Sequence, residues 1–390
     1  MSLAELLVAS GVLLSVTAVA GTAAIRAQLT FRTQPEVADM QQRTRVGAAT
    51  IGRDLLMAGA GPMTTAMAGP LVRRLPPVAP YRRGQIDDAR AGVFYRPDAV
   101  SLVYVPDTRA EADVLHAFDL GRELLVDLAP NCGVVVHERV CGFTVGMRVV
   151  LFDGRGAFDL ATVTDVAGDR VRVQHGGGLS ASYDGGAVMA EVMAPTYFVR
   201  PDVATGALQL VRYDGFRTDR PVVDNVVEAS FDYFGDPGPP RAWPPAAAED
   251  PPRPATSYGL APPASGVDDP RDVWGPGENC VFAAADLDIR APVPRLGQLA
   301  PGPSPIPLDP ARFRDGPWCP DAVHGVRFDA DLLRIRRVRL RLRVQVAVAA
   351  MRGPAGRLFA RGGTSSSPEL FAPDQQIVLD VTPRNLGAAP

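Results

Sequence analysis

Between Glu5 and Arg26 the chain carries no charged side chain. A run of about 20 apolar residues has the length needed to cross a bilayer core as a helix. A helix that is apolar all round must bury against lipid or against similar helices. The single carboxylate at its front, Glu5, costs on the order of 2–3 kcal/mol at a membrane edge, so such an acid calls for a partner. Residues 2–58 read as one long helix of two characters. Residues 1–28 form the hydrophobic half. Over residues 29–58 the helix becomes one-sided, with Val37, Met40, Ala48, Ile51 and Leu55 at helical spacing against Arg43, Arg45, Arg53 and Asp54. At 1.5 Å per residue the whole would measure about 80 Å, and only its distal half can be covered by the chain's own core.

Residues 59–98 hold scattered Gly and Pro with little periodicity and read as a connecting region. From residue 99 to 390 the pattern is that of a β-rich head. Residues 161–166 and 170–173 flank Ala167-Gly168-Asp169, the arithmetic of a hairpin. Further strands are predicted over residues 100–105, 147–152, 188–193, 208–213 and 226–234. In residues 338–348 apolar side chains fall on every second position, the period of a half-buried strand with arginines on its wet face. Residues 236–270, with eleven prolines, cannot bury enough to order themselves and read as a surface loop; residues 292–310 form a second Pro-rich loop between Cys280 and Cys319. The predicted class is therefore α+β, a long helix on a head of two antiparallel sheets.

The net charge of −3 gives no whole-chain argument for nucleic acid or anionic membranes. Every basic residue is Arg. One local exception is Arg339, Arg341 and Arg343, which leave DNA as a minor possible partner. Four cysteines permit three connectivities. Local pairing, Cys132 with Cys141 and Cys280 with Cys319, is the simplest, and it implies an oxidising compartment. The competing idea is zinc, since Cys132, His137 and Cys141 offer three donors, but structural zinc wants a fourth ligand and usually a CxxC knuckle.

Catalytic signatures are missing from the sequence. His116, His137, His175 and His324 show no HxxxH or HExxH spacing, and no GxSxG, Walker or GxGxxG motif occurs. His175-Gly176-Gly177-Gly178 reads as a turn after a strand. Asp202, Asp214, Asp219 and Asp236 could share calcium only if the fold assembled them, because their spacing fits no EF-hand. No enzyme, cofactor or resident metal is expected.

Met1-Ser2-Leu3-Ala4-Glu5-Leu6-Leu7 resembles the start of a processed type IV pilin or pseudopilin. Phe31-Arg32-Thr33-Gln34, Met40-Gln41 and Ile51-Gly52-Arg53-Asp54-Leu55, followed by Met57-Ala58-Gly59, resemble the PilW-type minor pilins, relatives of the J-type pseudopilins of type II secretion. Leu210-Val211-Arg212, Val226-Val227-Glu228 and Val381-Thr382-Pro383-Arg384-Asn385 fit the same family. Two departures stand out: Met1 replaces the usual Phe, and the proline common early in the family's helix is Thr22 here, with Pro35 further along.

The resemblance implies a pilin-like fold and an N-methylated Met1. It further implies that Glu5 pairs with the terminal amine of an adjacent subunit. The expected function is a minor pilin that primes a type IV pilus and sits at or near its tip. The alternatives are a type II secretion pseudopilin, or a membrane-anchored adhesive or DNA-binding module. Implied partners are other minor pilins, the major pilin and a large tip adhesin. The expected location is the inner membrane, as a single-pass protein with its head in the periplasm, and then the extracellular pilus.

Overall fold

Met40, Thr44, Ala48, Ile51, Leu55 and Ala58 are buried at three- and four-residue steps, the signature of a helix laid on a core. All but Ala58, which follows directly, belong to α1 (Leu3–Met57), which continues through Pro35. The computed structural model describes residues 2–61, 76–83, 94–108, 110–129, 140–153, 158–175, 179, 182–183, 185–237, 282–283, 293–294, 303, 305–310 and 330–386.

Two antiparallel sheets close on the distal half of α1. The first contains β1 (Val78–Arg83), β2 (Phe94–Leu102), β9 (Thr196–Pro201), β10 (Leu208–Tyr213) and β11 (Asp219–Val223), in that spatial order. The second is ordered β15 (Ile306–Leu308), β12 (Val226–Gly235), β16 (Ile335–Val344) and β17 (Gln375–Val381). Helix and sheets share one core: Met40, Ile51 and Leu55 meet Val100, Leu102, Tyr197 and Leu210 of the first sheet and Phe231, Tyr233, Leu340 and Leu342 of the second. The helix lies so close that a Cβ on Gly47 would fall 2.2 Å from Val223 Cγ2. In β16 the expected alternation holds over Val338, Leu340, Leu342 and Val344, all buried, but the strand ends at Val344, short of the predicted 348, and Val348 is exposed.

The feature that sequence reading did not foresee is a closed six-stranded barrel. Its strands are β3 (Glu111–Asp119), β4 (Glu123–Leu128), β5 (Arg148–Phe152), β6 (Phe158–Ala167), β7 (Arg170–His175) and β8 (Ala187–Glu191), closed in the order β3-β4-β7-β6-β5-β8. All six lie between β2 and β9, which pair with each other through Val100–Tyr197 and Ser101–Thr196. The barrel is thus an insertion at the tip of a hairpin. Val114, Leu124, Val126, Leu151, Val163, Val171, Val173 and Met189 fill its interior as a core separate from that of the helix. Closure leaves none of its strands with an open edge. A two-stranded pair, β13 (Phe282–Ala283) and β14 (Val293–Pro294), completes the described strands.

These findings correct two expectations. The predicted α+β, pilin-like fold, a long helix on a head of two antiparallel sheets, does not hold: the chain is mostly β and carries the closed barrel beside those sheets. The alternating strands were readable; their closure was not, because period-two patterning is the same in an open sheet and a small filled barrel. The expected single-pass inner-membrane anchor is also overturned, since among the described residues no helix is long and apolar enough to cross a membrane. The connecting region 59–98 is also richer than expected, holding β1 and the start of β2. Of the Pro-rich loops, residues 238–270 and most of 292–305 lie outside the described residues.

Candidate assembly surface

The opening turns of α1, Leu3 to Val19, stand outside the shared core. Leu3, Leu6, Leu7, Val8, Val12, Leu13, Leu14, Val16 and Val19 are all exposed, and Leu14 retains 70% of its accessible surface. The polar residues among them do not make this surface wet. The Ser10 hydroxyl donates to Leu6 O (2.8 Å), Ser15 to Val12 O (2.7 Å) and Thr17 to Leu13 O (2.9 Å). With their donors turned onto the helix's own carbonyls, these side chains present mainly carbon outward. At Gly11 and Gly21 an added Cβ would meet nothing within 4 Å, so neither glycine is required by contacts within the chain. Small residues and internally satisfied hydroxyls are the composition that lets helices approach closely.

Glu5 lies in the first turns of α1, with its side chain outside the described residues, as is Met1. The expected pairing of this acid with a terminal amine is therefore placed on the helix but not seen as a contact. Cys141 is disulfide-bonded, while Cys132, Cys280 and Cys319 lie outside the described residues, as do His137 and His324. His175 ends β7 and is buried.

The arginine stripe is tied up by neighbours. Arg339 Nε donates to Asp380 Oδ1 at 2.9 Å, Arg341 Nη2 lies 2.8 Å from Asp232 Oδ2, and Arg343 Nε lies 3.0 Å from Asp374 Oδ2. Arg337 and Arg339 also sit over the Phe234 ring, 4.3 and 5.0 Å from its centroid. A face of paired charges has little field left for a phosphate backbone.

The four aspartates considered for calcium do different work. Asp202 Oδ1 accepts the Ala204 and Thr205 amides, and Asp214 Oδ1 accepts those of Phe216, Arg217 and Thr218. Asp219 pairs with Arg200, and Asp236 with Arg336 at 2.7 Å. Burial of Asp214 works against its charged form, but those amides outweigh it and bring the carboxyl down to about 2. Among the described residues no cluster of three or more His, Cys, Asp or Glu could hold a metal.

A second polar constellation escaped sequence reading altogether. Asp54, expected on the solvated face of α1, is buried at 6% exposure. Its Oδ1 accepts the Tyr104 hydroxyl (2.8 Å), and its Oδ2 accepts Tyr197 (2.7 Å) and Arg212 Nε (2.8 Å). Burial first, and then the Asp54 charge and its bonds, push both tyrosines far above the usual phenol range, so each stays a donor. Burial disfavours the Arg212 charge, yet Asp54 and Tyr197 outweigh it and raise the guanidinium. The available signal was position: Asp54 is adjacent to Leu55 and three residues after Ile51, inside the apolar stripe.

Comparison with protein-family models, with curated proteins and with solved structures finds no match for this chain.

Proposed function

We propose that the chain is a non-catalytic structural subunit of a helix-cored filament, in the role of a minor pilin, joined to neighbouring subunits through the apolar half of α1. The observation that carries this reading is the exposed carbon surface from Leu3 to Val19 on a helix whose distal half is buried in the head. A rod of this kind gains about 25 cal/mol for each Å² of apolar surface removed from water. Equivalent rods from other subunits cover it on all sides while leaving each head outside. Apolar contact alone does not set an axial offset. Glu5 supplies that: a desolvated carboxylate is costly unless an opposite charge meets it at one position, so pairing with a neighbour's terminal amine selects a register more than it adds strength.

The test is Glu5→Ala in the full chain, with filament formation followed by pelleting and electron microscopy. The expected result is loss of filaments with unchanged circular dichroism of the head. Filaments of normal yield and regular subunit step would overturn the reading. Immunogold labelling of native filaments then decides between a place at the end and one along the shaft.

A further inference from the structure

We propose that Asp54 is a latch fixing the orientation of the inserted barrel relative to α1. The chain passes between the first sheet and the barrel twice, outward after β2 and back before β9. The two crossings are bonded to each other in both directions, Tyr104 N–H to Met193 O at 3.0 Å and Met193 N–H to Tyr104 O at 2.8 Å. Tyr104 stands on the outgoing crossing and Tyr197 just beyond the returning one, and each gives its hydroxyl to a different oxygen of the same Asp54 carboxylate.

The turn that follows α1 grips the outgoing crossing through its backbone as well. Gly59 N–H donates to Val103 O at 3.0 Å, and Val105 N–H donates to Ala60 O at 2.9 Å. Gly61 follows with φ +97°, and a Cβ there would fall 2.3 Å from Val105 Cγ2, so only glycine lets the strand come this close.

The geometry makes the latch specific. The barrel core and the helix-and-sheet core share no buried residue. Between them lies a small apolar cluster, Val103, Val105, Val150, Phe152, Ala190 and Val192, which seats the barrel wall on its two crossings. Apolar contact of this kind tolerates sliding, whereas polar ties do not: Arg148 Nη1 of β5 donates to Gly215 O just beyond β10, and Tyr104 on the outgoing crossing meets Tyr197 of β9 and Arg212 of β10 on one buried carboxylate. Through Tyr104, Asp54 thus holds the outgoing crossing, and with it the barrel's orientation, to α1 and the first sheet. This inference stands on the crossing geometry and does not require the filament reading.

The experiment uses the full chain carrying spin labels at Ala49→Cys and Ala167→Cys, two exposed positions on α1 and at the end of β6. Tyr104→Phe/Tyr197→Phe removes both hydroxyl donors and leaves the Asp54–Arg212 pair to hold the fold. The expected result is an interspin distance distribution about twofold broader, with amide exchange at residues 103–105 and 193–197 about tenfold faster and barrel protection unchanged. An unchanged distance distribution overturns the proposal. So does collapse of barrel protection in the same variant, because the tyrosines would then support the barrel's fold and not its orientation.

Discussion

Leu14→Ala isolates the assembly surface from the fold. Leu14 keeps 70% of its accessible surface and lies outside the core cluster of α1, so the isolated subunit has almost nothing to lose at this position. Alanine is the better helix former, so the rod should also be kept. Truncation removes three carbons, worth about 0.8 kcal/mol each when buried, or about 2.4 kcal/mol in full. Scaled to the exposed 70% that neighbours could cover, the loss on assembly is about 1.7 kcal/mol per subunit. At about 1.4 kcal/mol per decade this raises the subunit concentration needed for assembly roughly twentyfold. Sedimentation across a concentration series measures that threshold, and a thermal melt of the unassembled subunit serves as control. A lowered melting temperature with an unchanged threshold would show that Leu14 packs within its own chain, and the reasoning would fail.

Gly47→Val places a branched side chain where even a Cβ would lie 2.2 Å from Val223 Cγ2; it should cost at least about 2 kcal/mol, read as a lower denaturant midpoint. Asp214 accepts the amides of the turn it opens and has a carboxyl near 2, against about 3.9 in an unfolded chain. A depressed carboxyl stabilises above the unfolded value and loses that contribution as the pH falls toward 2, so the Phe216 and Thr218 amide resonances should hold their shifts at pH 4 and move between pH 3 and 2. The triple change Arg339→Ala/Arg341→Ala/Arg343→Ala should leave retention on immobilised DNA unchanged, because each cation already faces a carboxylate; a clear loss of retention would reopen that face as a binding surface.

How far the sequence could be read differs by element. The apolar stripe of α1 was legible at Met40, Ala48, Ile51 and Leu55 because a helix on a core imposes one period on every turn. The β6–β7 hairpin and β16 were legible for the same reason at period two. Strand partners were not: β2 and β9 pair only because the intervening chain closes on itself, and nothing in residues 94–102 announces a partner at 196–201. From sequence alone Asp54 reads as solvent-facing, because an isolated acid usually belongs there. Its burial depends on Tyr104, Tyr197 and Arg212, which come from three places far along the chain. The surface of residues 3–21 was anticipated as a run needing cover, and its length alone pointed toward lipid, while its isolation from the head core required the fold.

The placement of the barrel has a kinetic consequence. If β2 and β9 had to meet across an unfolded stretch of about ninety residues, closing that loop would cost about 4 kcal/mol in chain entropy. A barrel that forms first brings its two ends together, and the Tyr104–Met193 bridge then leaves only a few residues to zip before Ser101 and Thr196 meet. The order of events during refolding should thus run from the insertion outward, with the sheet that hosts it completed last.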